Sequence, residues 1–213
     1  MIELAPGLIY RPGYLNRAAQ EHLLAELRDV LRAAPLFTPR MPRTGKAFSV
    51  RMSNCGPLGW VSDHEQGYRY QAMHPDTRAA WPPFPPEILA AWTDLGGYPH
   101  DPEACLINYY ASDACMGLHQ DRDEGDFRAP VVSLSLGDTC LFRFGGPARG
   151  GKTRSIKLAS GDALVLGGPA RLAFHGVDRI MPGSSTLLAE GGRFNLTLRR
   201  VTPPGIADVA VRT

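Results

Sequence analysis

Between residues 16 and 34 apolar side chains recur at helical spacing. Leu23, Leu27, Val30 and Leu31 form a stripe on one face. Asn16 supplies an N-cap and Pro35 a stop, which predicts a helix from Asn16 to about Ala34. A second helix is predicted from about Pro86. It carries Ile88, Leu89, Trp92 and Leu95, and Gly96-Gly97 end it. The run Trp81-Pro-Pro-Phe-Pro-Pro86 before it reads as a stiff connector rather than a polyproline ligand. From about residue 103 the period shortens to that of strands. These are expected at Ala104–Tyr110, Val131–Leu136, Cys140–Phe144, Arg154–Leu158, Ala163–Leu166, Arg171–His175 and Arg193–Arg200. Gly, Pro and Asp separate them, as in sandwiches and barrels. The pattern predicts an α+β chain with a β-sandwich or jelly-roll core, N-terminal helices packed on one sheet, and a loose tail after Thr202.

Length and composition narrow this picture. A chain of 213 residues, 44% apolar and 21% charged, is the size and make-up of one folded domain, not a disordered chain. No apolar run approaches the roughly 20 residues of a bilayer span, and the first residues do not resemble a secretory signal, so a cytoplasmic protein without a membrane segment is expected. The net charge of +2 announces no partner. Arginine far outnumbers lysine, which is read as compositional bias. Cys55, Cys105, Cys115 and Cys140 include no C-x-x-C pair. They are expected to be reduced, mostly buried thiols rather than a zinc site.

Three elements carry possible chemistry. In His119-Gln120-Asp121 an imidazole and a carboxylate two residues apart point to one side of an extended chain. With a second, distant histidine they would form a two-His-one-carboxylate face suited to Fe(II). Alone the triplet is weak, since chance gives about 0.4 of them in such a chain. His74-Pro75-Asp76 has the same spacing, but its proline spoils strand pairing, so it is set aside. His175 ends an apolar run, where an isolated histidine is ordinarily structural. In Arg193-Phe-Asn195-Leu-Thr197-Leu-Arg199 polar and apolar residues alternate strictly. One strand face thus holds two guanidiniums, an amide and a hydroxyl. It reads either as a solvated outer face or as a grip for both carboxylates of a short diacid. Asn108 and Tyr110 share an i, i+2 relation that could complete a polar pocket.

Taken together, these residues resemble the AlkB-type Fe(II)/2-oxoglutarate-dependent dioxygenases of alkylated nucleic acids. The likeness runs through MSNCGPLGW (52–60), QGYRY (66–70), ACLINYY (104–110), LHQDRDE (118–124), APVVSLSLG (129–137), FGG (144–146), GDALVLGG (161–168), FHG (174–176) and RFNLTLR (193–199). It implies a double-stranded β-helix, the jelly-roll barrel, in one dioxygenase domain over residues 1–202. A nucleotide-recognition lid would span about 36–80 and the catalytic core about 103–202, followed by the tail 203–213. It implies that His119, Asp121 and His175 are catalytic iron ligands. Arg193 would hold the distal carboxylate of 2-oxoglutarate, with Asn108, Tyr110, Asn195 and Arg199 completing that pocket. Trp60 would stack on a flipped base opposite His119, Tyr68 would touch backbone phosphate, Asp123 would meet the exocyclic amino group, and Arg149 would lie near the substrate. The implied cofactor is Fe(II), with 2-oxoglutarate and O2 as cosubstrates.

The implied reaction removes N-methyl groups from 1-methyladenine and 3-methylcytosine in single- or double-stranded DNA, or in RNA. It releases formaldehyde, succinate and CO2. Such bases pair badly and are cationic, so flipping costs less, and Asp123 and Trp60 both suit a cation. Arg40, Arg43, Lys46 and Arg51 are a candidate phosphate-contacting edge of the lid. The enzyme is expected to be a monomer. The chain has Leu166 where the family often has an aromatic residue, and Tyr109 where it often has arginine, which leaves substrate fit open. Two other readings stand: a small-molecule 2-oxoglutarate oxygenase on the same barrel, and a binding module that has lost its metal.

Overall fold

A computed structural model describes residues 1–205. In chain order the elements are β1 (Ile2–Ala5), β2 (Leu8–Arg11), α1 (Arg17–Ala33), β3 (Arg51–Cys55), β4 (Gly59–Asp63), β5 (Gly67–Gln71), α2 (Pro86–Gly96), β6 (Ala104–Tyr110), β7 (Met116–His119), β8 (Val131–Gly137), β9 (Thr139–Phe144), β10 (Arg154–Leu158), β11 (Ala163–Leu166), β12 (His175–Met181) and β13 (Arg193–Arg199). A seven-stranded sheet has the order β1-β2-β11-β8-β13-β6-β3 and faces a four-stranded sheet, β10-β9-β12-β7. All pairings are antiparallel, so the two sheets close a jelly-roll barrel.

Both helices form where the pattern predicts. The Asn16 side chain accepts from the Ala19 amide, a cap worth about 1 kcal/mol, and Gly97 ends α2 in the left-handed conformation. Leu23, Leu24, Leu27 and Val30 of α1 and Ile88, Ala91 and Trp92 of α2 are buried against the outer face of the large sheet. Leu89 does not belong to that face. It is exposed, and Ala91 takes its place because the helix turns it inward.

Alternation along each strand then decides what faces the barrel interior. On β13, Phe194, Leu196 and Leu198 pack under the helices, together with Cys105 and Ile107 of β6 and Val132, Leu134 and Leu136 of β8. The polar set Arg193, Asn195, Thr197 and Arg199 must therefore point the other way, between the two sheets. This removes the solvated-face reading of RFNLTLR: Arg193 is 1% and Arg199 6% exposed. The inner wall is completed by Leu106, Val131, Leu164 and Leu166 from the large sheet and Phe142, Phe144 and Val177 from the small one.

Several expectations change. Residues 171–174 are not a strand. A 3-10 turn at Gly168–Ala170 precedes them, and the strand begins at His175 and runs on to Met181. Gly167-Gly168-Pro169 forces the turn, and Arg171 directs its side chain inward. The N-terminal half contributes strands as well as helices, since β1 and β2 extend the large sheet past β11, and β3 forms its other edge. These strands are short and alternate poorly, so the sequence pattern misses them, as it does β7.

The β4–β5 hairpin and the segment before it lie over one mouth of the barrel. Phe37 bridges to Met52 and Arg40 to Ala47. Trp81 and Phe84 anchor the proline-rich connector. A Cβ added at Gly59 would lie 2.4 Å from the Trp81 ring, and one at Gly56 2.3 Å from the Phe84 ring, so only glycine allows this approach. At the C-terminal end, Val201 and Thr202 donate to Glu103. Of the tail expected to be loose, residues 206–213 lie outside the described residues.

Candidate active site

A cavity of about 660 Å3 opens between the sheets beneath the hairpin. The twelve residues assigned to metal, cosubstrate and base contacts all line it. His119, Asp121 and His175 sit together. Asn108, Tyr110, Arg193, Asn195 and Arg199 rise from the large sheet, and Trp60, Tyr68, Asp123 and Arg149 surround the opening.

His119 ends β7 and His175 begins β12, and the two face each other in register with ring centroids 4.5 Å apart. Each Nδ1 lies 2.9 Å from a backbone carbonyl, of Gly117 and of Ala173. Donation there places the proton on Nδ1 and leaves both Nε2 lone pairs free for a metal. Those Nε2 atoms are 3.7 and 3.6 Å from the Asp121 carboxylate. Arg199 Nη2 donates to Asp121 Oδ1 at 2.9 Å, and Arg171 Nη1 to the Asp121 carbonyl at 2.6 Å. The second carboxylate oxygen, Oδ2, is buried without a partner. Burial opposes ionisation of Asp121, but the Arg199 guanidinium beside it outweighs this, so the carboxyl stays well below the usual range. Burial lowers His175 to about 4 despite Asp121, which keeps it neutral and able to ligate. Three ligand atoms within 4.8 Å, one of them a buried oxygen with no donor, fit a divalent metal with open positions on the cavity side. Among the described residues one other such cluster occurs, His22, Glu26 and Glu87, between the helices.

The polar floor has the complementary form. Arg193 Nη1 donates to the carbonyls of Asp138 and Leu158 at 3.1 Å each, and Nη2 to Ser135 Oγ at 2.6 Å. No carboxylate pairs with it among the described residues, and its Nε is buried and unsatisfied. A desolvated cation without a counterion is costly, and an anionic ligand would relieve that cost. Asn108 Oδ1 and Arg199 Nε are likewise buried and unsatisfied. The two arginines are not equivalent. Arg199 is largely engaged with Asp121, Glu124 and Tyr70, and only its Nε is free for a ligand. Asn195 donates to Ser133 Oγ at 2.6 Å and accepts from Thr197 at 3.0 Å, a pair of bonds that fixes its amide. Burial pushes the Tyr110 phenol up, so it remains a donor. Donors on a concave floor beside a metal face suit a dicarboxylate such as 2-oxoglutarate.

At the opening Trp60 Nε1 donates to Asp123 Oδ2 at 2.8 Å, and the Trp60 and Tyr68 rings stack at 5.6 Å. Tyr68 is half exposed, and Arg149 lies over Phe174. Arg40, Arg43 and Lys46 are exposed near the hairpin. Arg51 does not join them. It stacks on Tyr109 on the far face of the sheet, because β3 turns Met52, not Arg51, toward the cavity. The acidic loop 121–126 is not simply solvated, since Asp121, Glu124 and Asp126 are buried. Sequence reasoning overlooked Glu124, Arg171 and Tyr70 as site residues. Glu124 and Tyr70 stand inside quoted motifs, but nothing near Arg171 in sequence links it to Asp121.

Residues 7–199 match the family profile of the 2OG-Fe(II) oxygenase superfamily. The chain is 52% identical over 199 residues to the alpha-ketoglutarate-dependent dioxygenase AlkB homolog of Caulobacter vibrioides, covering 93% of this chain and 90% of that one. It is 40% identical over 201 residues to the alpha-ketoglutarate-dependent dioxygenase AlkB of Escherichia coli K12, covering 92% and 91%. The nucleic acid dioxygenase ALKBH1 of Mus musculus is 30% identical over 182 residues, 83% of this chain and 43% of that one. The solved structure of OsALKBH1 superposes with a TM-score of 0.78 at 30% identity, covering 93% of this chain and 99% of that one.

Proposed function

This chain belongs to the 2OG-Fe(II) oxygenase superfamily, among the AlkB dioxygenases, and on that premise we propose how its own residues carry out oxidative demethylation of N-alkylated bases in nucleic acid. It is an Fe(II)- and 2-oxoglutarate-dependent dioxygenase with O2 as second cosubstrate. The bound metal, with these cosubstrates, supplies the oxidation of the alkyl carbon, after which the alkyl group leaves as formaldehyde while 2-oxoglutarate ends as succinate and CO2.

In this reading His119, Asp121 and His175 hold the iron on one face and leave the cavity side open. Arg193 fixes the distal carboxylate of 2-oxoglutarate, and Asn108, Tyr110, Asn195 and Arg199 orient the rest. Trp60 stacks on the flipped base across from His119. Asp123, held by Trp60 Nε1, meets the exocyclic amino group and favours a cationic base over a neutral one. Tyr68 and Arg149 steady the strand at the rim. The substrates are 1-methyladenine and 3-methylcytosine in DNA or RNA, and the enzyme works as a monomer in the cytoplasm. The observation that carries this reading is the shared cavity: the metal face, the uncompensated Arg193 and the Trp60–Asp123 wall open into the same space.

The test is incubation with Fe(II), 2-oxoglutarate, O2 and a single-stranded oligonucleotide bearing one 3-methylcytosine, read by mass. Loss of one methylene unit that depends on 2-oxoglutarate is expected. Succinate without any mass change would overturn the nucleic-acid reading and point to a small-molecule substrate.

A further inference from the structure

Glu124 is the most secluded acid near the site, with a side chain 0% exposed. Its carboxylate stands between two guanidiniums, Arg171 Nη2 at 3.0 Å and Arg199 Nη1 at 3.2 Å. Those same arginines hold Asp121, one by its carbonyl and the other by Oδ1. Glu124 therefore fixes both anchors of Asp121, whose carboxylate faces the two imidazoles, His119 nearest Oδ1 and His175 nearest Oδ2. A third group joins from outside the barrel. Tyr70 donates its hydroxyl proton to Glu124, and Arg199 Nη1 reaches the same hydroxyl at 3.1 Å. Tyr70 lies on β5, directly across the hairpin from Trp60.

We propose that Tyr70 and Glu124 are positioning residues that lock Asp121 as a one-oxygen metal ligand and couple the β4–β5 hairpin to the metal site. The inference rests on the metal assignment above, though not on the identity of the substrate. With Arg199 on Oδ1, Oδ2 is the carboxylate oxygen left without a donor and free for the metal. Without Glu124 the two arginines lose their common anion, and Arg199 is free to swing away from Asp121. Without the Tyr70 hydroxyl the hairpin keeps its backbone pairing but loses its polar tie to that cluster. Tightening the metal site should then tighten the hairpin, and the wall carrying Trp60 would be set once metal and cosubstrate are in place.

The experiment uses the full chain and Co(II) as probe, with no nucleic acid present. Metal affinity is measured by titration, and amide exchange over residues 67–71 is followed without ligand and with Co(II) plus 2-oxoglutarate. In the wild type the ligands are expected to slow exchange at these amides. Glu124→Gln should weaken Co(II) binding by about tenfold, as loss of groups that orient a ligand does. Tyr70→Phe, the variant more certain to fold, should weaken it by about threefold and abolish the ligand-induced slowing. A purely structural tyrosine would raise exchange equally with and without ligand. The proposal is overturned by unchanged Co(II) affinity in both variants, by equal slowing in Tyr70→Phe, or by no slowing in the wild type. A wild type that binds no Co(II) would instead overturn the metal site itself.

Discussion

Arg193 gives the sharpest test of the cosubstrate pocket. It is 1% exposed, cationic and unpaired with any carboxylate among the described residues. Arg193→Met keeps much of the volume and removes the charge. In the ligand-free protein the loss of hydrogen bonds to Asp138, Leu158 and Ser135 is offset by no longer burying an uncompensated cation, so net stability should change by no more than about 2 kcal/mol. Binding should respond far more. Removing one partner of a buried charged contact costs about 2–5 kcal/mol, so affinity for 2-oxoglutarate should fall from about 30-fold to several thousand-fold. Thermal melts with Mn(II), which prevents turnover, read this directly. At a concentration about 100 times the wild-type Kd the ligand adds about 2.7 kcal/mol. For a chain of this size that raises the wild-type Tm by about 5–11 °C. In Arg193→Met the same concentration should give a shift of about 3 °C or less. A full shift in the variant would refute the assignment and leave the β13 face with a structural role only.

Asp121→Ala removes the carboxylate that faces the two imidazoles and should abolish both Co(II) binding at this site and turnover; metal titration at wild-type affinity would contradict the ligand set. Asp123→Asn keeps an acceptor for Trp60 Nε1 but loses the charge. It should lower kcat/KM for cationic 3-methylcytosine about tenfold and leave a neutral N-methylated base nearly unaffected, and an equal loss on both would count against charge recognition. Away from the site, burial and a hydrogen bond with Glu87 raise Glu26 to about 7. The folded chain therefore holds that proton more tightly than the unfolded one. The stabilisation it brings is complete below the ordinary glutamate range and is lost as pH rises through about 7. Glu26→Gln should accordingly raise Tm more at pH 8 than at pH 5, and melts showing the same difference at both would disprove the linkage.

Local pattern carried much of the architecture into view. The capped stripe of α1, the Pro86 and Gly97 bounds of α2, and the alternation of β6, β8, β10, β11 and β13 are properties of neighbouring residues, so the sequence alone determines them. The candidate ligands and the arginine pair of the 193–199 strand were legible through the family resemblance, since the His119–Asp121 spacing, the lone His175 and the strand's alternation each left the reading open. That both faces of β13 are buried, and which of them lines the cavity, was not legible. Alternation separates the two faces, but only the helices packed on Phe194, Leu196 and Leu198 turn the arginines inward. The short strands β1, β2, β3 and β7 take their form from partners far along the chain, such as β11 for β2 and β12 for β7. The same holds for the Glu124 cluster. Its members Tyr70, Glu124, Arg171 and Arg199 come from the hairpin, an acidic loop, a turn and a central strand. Spacing along the sequence can propose ligands that share a strand or a short loop. Only the closing of the barrel decides which charges, brought from distant segments, lose water together and must neutralise one another.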